Sequence, residues 1–155
     1  MSDPLRVLIV EGRFYDALSD ALLDGAAEVL RERGVQVDVA TVPGALEIPP
    51  AIAIAEEVGR TPAGVRYDGY VALGVVIRGE TYHFEIVSNE SAAGITRVAL
   101  DYAIPIANGV LTTEDEDQAF ARAAEKGADA ARVAIEMANL ADSLSELATP
   151  AEDGS

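Results

Sequence analysis

The sequence predicts an α/β fold: a four-stranded parallel sheet covered by helices on both faces. Three observations predict it. Four short apolar runs rich in β-branched residues recur along the 155 residues. Stretches with helical periodicity separate them, and strands alternating with helices imply right-handed crossovers. Glycine and proline fall between the two kinds of segment, where chain reversal needs them.

The elements follow in order. Residues 5–10, Leu-Arg-Val-Leu-Ile-Val, suit a strand buried on both faces. Residues 16–33 form a helix, with Leu18, Leu22, Ala26, Val29 and Leu30 on one face and Gly34 as its stop. Residues 35–42 alternate and read as the second strand. Residues 46–58 are helical, with Pro49 and Pro50 tolerated only in the first turn. Residues 70–76 are the third strand, and a loop through Arg78 and Gly79 leads into a helix reaching Tyr102. Residues 104–111 are the fourth strand. Thr113 and Glu116 have capping-box spacing and open a helix to Ala124; a last helix spans 128–147, with Val133, Met137, Leu140 and Leu144 on one stripe. The expectation is one domain over residues 1–147 and an acidic, disordered tail over 148–155.

Composition narrows the function. Eleven basic against 27 acidic residues give a net charge of −16, the opposite of a nucleic-acid-binding face. There is no cysteine and one histidine, which excludes a disulfide framework, a thiolate nucleophile and a multi-His or Cys-based metal site. The N-terminus has no basic region followed by an apolar core, and no apolar run is long enough to span a bilayer. A soluble cytoplasmic protein with no membrane partner is expected.

In open parallel sheets, ligands bind beyond the carboxyl ends of the strands. The unusual residues gather there: Glu11 to Phe14, Val42 to Glu47, Ile77 to His83, and Asn108 with Thr112 and Thr113. His83 is the one side chain of the type that exchanges protons near neutrality; residue type alone reads as an ordinary satisfied or solvated histidine, and its place past a strand end shifts the reading towards proton transfer. Gly79 and Thr81 at a helix entry suit a phosphate, through free backbone N–H groups and a hydroxyl. A plain strand-to-helix turn with a Thr cap reads the same way, and Glu80 would repel an anion if it turned inward. Phe14 could stack on a flat heterocycle or staple the first helix. Glu47 could accept from sugar hydroxyls or serve as an N-terminal helix acid. Arg122 could clamp an anion or pair along its own helix.

Taken together, several segments carry a family resemblance. They are Gly12-Arg13-Phe14, the run from Val42 to Pro49, the run from Leu73 to Phe84, Gly109 to Glu114 and Ile135 to Leu140. In order and nearly without gaps, they resemble the lumazine synthases of riboflavin biosynthesis. The resemblance implies a flavodoxin-like three-layer αβα sandwich with strand order 2-1-3-4. It implies condensation of 5-amino-6-(D-ribitylamino)uracil with 3,4-dihydroxy-2-butanone 4-phosphate, with no metal or organic cofactor. By position, His83 matches the proton-transfer residue and Phe14 the stacking aromatic. Ala45, Leu46 and Glu47 match the segment holding the ribityl chain, and Val75, Val76 and Ile77 the strand end reading the uracil edge. Glu80 and Thr81 match the phosphate-binding turn, and Arg122 the phosphate clamp.

The resemblance also implies a homo-pentamer in which Asn108 and Arg122 come from a neighbouring subunit. Asn108 stands where Phe is frequent, and Glu80 and Tyr82 replace smaller residues. The loop after Arg122 is shortened to Lys126-Gly127, with Lys126 counted among the substrate-binding residues. That loop bears on shell assembly in the family, so a pentamer, single or paired, is expected rather than a sixty-subunit shell. A non-catalytic flavin- or lumazine-binding module is the competing reading, and a structural shell protein a second. His83, Thr81 and Arg122 together favour the enzyme, since a carrier needs no phosphate clamp.

Overall fold

The computed structural model describes residues 3–148, so the expectation for the tail beyond Ala148 lies outside the described residues. The chain runs β1 (Arg6–Gly12), α1 (Asp16–Glu32), β2 (Gln36–Val42), a single 3₁₀ turn (Ala45–Glu47), α2 (Ile48–Gly59), β3 (Gly69–Ile77), α3 (His83–Tyr102), β4 (Ile106–Thr113) and α4 (Glu116–Ala148). All four strands are parallel, in the order β2-β1-β3-β4. The central strands β1 and β3 are buried on both faces, as their unbroken apolar sequences require.

Successive side chains of a strand point to opposite faces, so the sheet divides the core in two. Val7 and Ile9 of β1 join Val71, Leu73 and Val75 of β3 under α1 and α4. Leu8 and Val10 join Tyr70, Ala72 and Val76 under α2 and α3. The result is the three-layer sandwich expected from the sequence.

The C-terminal part departs from expectation. Residues 116–148 form one continuous helix of 33 residues, not two. Lys126 and Gly127, expected as the remnant of a loop, lie inside this helix. A Cβ at Gly127 would lie 2.1 Å from the carbonyl oxygen of Leu22 in α1, and one at Gly25 would lie 2.2 Å from that of Ala124. The two helices touch backbone to backbone, so only small residues fit between them. Ala119, Ala123, Ala131, Ala134 and Ala138 accordingly face the core, while Val133, Met137, Leu140 and Leu144 remain 44–54% exposed. The start of α4 also differs. Asp115 is the cap, its Oδ1 accepting from the Gln118 N–H at 2.8 Å, and Gln118 Oε1 accepts from the Glu114 N–H. Thr113 instead ends β4 and donates to the Asp115 carbonyl. β4 itself begins at Ile106, two residues later than expected, because Pro105 lies outside the strand and offers the ladder only its carbonyl, to the Tyr70 N–H.

Gly127→Ala tests this contact. Replacing a helical glycine ordinarily gains about 1 kcal/mol, but forcing a methyl into a packed interface costs typically 1–3 kcal/mol, occasionally more. Here the obstacle is backbone, so the expected outcome is net destabilisation of about 1–2 kcal/mol. It is read as a lower urea midpoint at unchanged slope. A midpoint equal to or above that of the parent would refute the close-contact role.

Candidate active site at the carboxyl end of the sheet

Two local features shape the space beyond the strand ends. First, β1 and β2 end in tight apposition. A Cβ on Gly12 would fall 2.6 Å from the carbonyl carbon of Gly44, so the chain after β1 passes directly against the chain after β2. This brings Phe14 alongside Ala45, Leu46 and Glu47. Second, β3 overshoots its neighbour. The β1 ladder on β3 stops at the pair Glu11–Leu73, whereas the β4 ladder continues to Ile77–Thr113. Residues 74–77 therefore keep one backbone edge off the β1 ladder, facing the space between the two loops. Unpaired strand N–H and C=O groups form a linear donor–acceptor row suited to a planar heterocycle edge.

The groove between these walls has a volume of about 360 Å³. Phe14, Ala45, Leu46 and Glu47 line one side, Val75, Val76 and Ile77 its floor, and Gly79, Thr81 and His83 the far end. Tyr15, Gly44, Phe84 and Val87 complete it. These four were not singled out from sequence as site residues. Val87 had a readable signal, lying four residues after His83 on the same helix face. Phe14 is 71% exposed, and its ring lies 4.9 Å from the Tyr15 ring, centroid to centroid.

His83 opens α3 at the end of β3's exit turn, and its backbone N–H donates to Thr81 Oγ1 at 3.3 Å. That turn is braced by Arg78. The guanidinium pairs with Glu85 at 2.5 Å and Glu114 at 2.9 Å, and lies 4.4 Å from the Phe84 ring centroid. Arg78 holds the Glu85 carboxyl below the usual carboxylate range. An Arg so engaged joins the exits of β3 and β4 but has its charge offset.

Four of the expected site residues stand apart from this groove. Glu80 is exposed and does not line it. Asn108 is exposed on the edge strand β4, its Oδ1 accepting from the Val110 N–H at 2.9 Å. Arg122 is exposed on α4, donating to the Gln118 carbonyl at 3.0 Å, and among the described residues it forms no ion pair. Lys126 lies farther along α4, half-buried and roughly 15 Å from the helix start at 1.5 Å per residue. Among the described residues, no group of three or more His, Cys, Asp or Glu side chains could hold a metal, and no helix is long and apolar enough to cross a membrane.

The architecture and the groove can be set beside known proteins. The family model for 6,7-dimethyl-8-ribityllumazine synthase matches residues 4–142. The chain is 55% identical to the 6,7-dimethyl-8-ribityllumazine synthase of Paraburkholderia phytofirmans over 148 residues, covering 94% of this chain and 84% of that protein. It is 55% identical to that of Agrobacterium fabrum over 144 residues, covering 90% and 96%. It is 52% identical to 6,7-dimethyl-8-ribityllumazine synthase 1 of Rhizobium meliloti over 141 residues, covering 88% and 92%. With the family model spanning nearly all the described residues and relatives above half identity, the chain belongs to the 6,7-dimethyl-8-ribityllumazine synthase family.

Proposed function

We propose that this chain acts as a transferase of riboflavin biosynthesis in the groove beyond β3. It condenses 5-amino-6-(D-ribitylamino)uracil with 3,4-dihydroxy-2-butanone 4-phosphate to 6,7-dimethyl-8-ribityllumazine. The observation that carries the assignment of place is the overshoot of β3. It sets a free backbone edge between an exposed aromatic, Phe14, and the sole histidine. The pyrimidine stacks on Phe14 and presents its polar edge to residues 75–77, with the ribityl chain along Ala45, Leu46 and Glu47. The phosphate sits at the turn of residues 79–81, bound through backbone N–H groups and Thr81. The amine adds to the ketone and water leaves to give an imine. Phosphate is then eliminated, and ring closure with loss of a second water forms the lumazine. His83 moves protons during these steps. The relatives are named as synthases, which favours turnover over passive flavin or lumazine binding. Mixing both substrates with the protein should raise lumazine absorbance with time. Tight binding of lumazine without turnover would overturn the assignment.

The working unit is a pentamer in the cytoplasm, with each site completed by a neighbour. Asn108 and Arg122 lie outside their own chain's groove and are exposed, which supports this reading. The outward stripe Val133, Met137, Leu140 and Leu144, with Leu100 and Ile104 of the α3 end beside it, offers an apolar face to a second copy. The family resemblance ties shell assembly to a loop after Arg122, and here those residues lie inside the continuous α4, which supports an assembly that stops short of a sixty-subunit shell. Sedimentation at physiological salt should give five or ten times the 16.2 kDa chain mass. A megadalton particle or a monomer as the main species would refute this.

A further inference from the structure

We propose that Arg13, locked by the buried carboxylate of Glu11, is a positioning residue that holds Phe14 in place for the heterocycle. The proposal rests on the reading of Phe14 as the stacking platform. Glu11 is the next-to-last residue of a central strand and only 4% exposed. Burying a carboxylate there is costly, and an apolar residue would stabilise the sheet more cheaply. What the carboxylate supplies is direction. Its two oxygens accept from Arg13 Nη2 at 2.9 Å and Nε at 3.3 Å, a two-pronged pairing that fixes the plane of the guanidinium. Thr41 of β2 donates to the same carboxylate at 2.6 Å.

The free side of the guanidinium reaches the first turns of α1. Nη1 donates to Asp20 at 2.9 Å and to the Asp16 carbonyl at 3.3 Å. The Arg13 backbone N–H donates to the Val42 carbonyl at 2.9 Å, carrying the β1–β2 ladder one residue past Gly12. Arg13 is thus tied to β1, β2 and α1 at once. Tyr15, two residues on, starts α1 with its carbonyl accepting from Ser19. Phe14 is the single residue between these two anchors. Its ring is 71% exposed, so the backbone of its anchored neighbours largely sets where it stands. An exposed ring held in place loses less freedom when a ligand stacks on it.

The test uses the absence of tryptophan from the chain. Phe14→Trp places one fluorophore on the platform. Without ligand, its anisotropy should fall when Arg13→Ala is added. In the natural Phe14 background, Arg13→Ala should raise KM for the pyrimidine about tenfold, the scale of one aromatic contact, with smaller changes in kcat and in KM for the phosphate substrate. In a Phe14→Ala background, Arg13→Ala should add no further loss, because a residue acting through Phe14 has nothing left to position. Arg13→Lys should restore only part of the effect, lacking the fork. Since Arg13→Ala strands a buried carboxylate, the paired variant Glu11→Gln/Arg13→Gln removes both charges and leaves Thr41 an acceptor; it should reproduce the same KM shift in a folded protein. The same tenfold loss in the Phe14→Ala background, or unchanged anisotropy, would overturn the proposal. If Phe14→Ala alone leaves the pyrimidine KM unchanged, the stacking reading fails instead, and the anisotropy alone then decides for or against the clamp.

Discussion

His83→Ala should keep the fold and slow the chemical step by about 100-fold, the lower end of the range for general acid–base assistance. The side chain of His83 is exposed at the groove and, among the described residues, makes no hydrogen bond or ion pair of its own; only its backbone N–H is engaged, with Thr81. Truncation therefore strands no buried partner, and stability should be unaffected. On the proposed role of His83, the effect on rate comes from moving protons between the attacking amine, the departing hydroxyl and the carbon acid that loses phosphate. The lower end applies because, on the proposed function, the groove holds amine and ketone together, and that proximity survives the substitution. Single-turnover mixing of both substrates reads the step directly, free of product release. An unchanged single-turnover rate would remove His83 from the mechanism. A loss of secondary structure or of pyrimidine binding in the variant would mean that the histidine serves the fold instead.

The gathering of these residues was legible before any coordinates, because strand ends are legible. A short apolar run such as residues 70–76, bounded by loop residues, suits a strand buried on both faces, and in a parallel sheet whatever follows it emerges at the same end as whatever follows residues 6–12. Phe14, Ala45 to Glu47, Thr81 and His83 meet for that reason alone. The depth of the groove was not legible. It depends on β3 running four residues past the last β1 pair, a register fact that no local pattern encodes. Glu11 was missed in the same way: an acid at the end of an apolar run looks like a solvated terminus, and only the packing of Thr41 and Arg13 around it makes it a buried hub. Lys126-Gly127 misled because a glycine between two helical stretches reads as loop, whereas the reason for Gly127 lies in α1, about a hundred residues earlier, where the Leu22 carbonyl leaves no room for a Cβ. The alanines facing the core on α4 follow from that same approach. Asn108, Glu80 and Arg122 are picked out at strand ends and on the helix after β4, and the family resemblance gives them their roles and adds Lys126; a single chain brings none of the four to the groove.

Arg122→Ala should weaken the phosphate substrate by about 10- to 100-fold, corresponding to the roughly 1.5–3 kcal/mol of a hydrogen bond to a charged group, while changing pyrimidine affinity by less than about threefold. On the proposed function, the charge balance is what singles out this arginine. The chain carries −16, and a phosphate dianion approaching the turn of residues 79–81 meets Glu80, Glu85 and Glu114 nearby in sequence or space. Of the arginines at this end, Arg13 is engaged with Glu11 and Asp20, and Arg78 with Glu85 and Glu114. Arg122 is bound only to a backbone carbonyl, a contact it can exchange for a phosphate oxygen without stranding a carboxylate. Arg122→Lys should recover part of the loss, since a lysine keeps the charge but not the paired donors. If the residue comes from a neighbouring subunit, mixing Arg122→Ala with His83→Ala chains should restore some activity in sites that draw both intact groups from different copies. Separate titrations of the two ligands decide the main point: equal losses for pyrimidine and phosphate would show that Arg122 supports the fold or the assembly, and no loss for phosphate would leave the anion to the backbone of residues 79–81 and Thr81 alone.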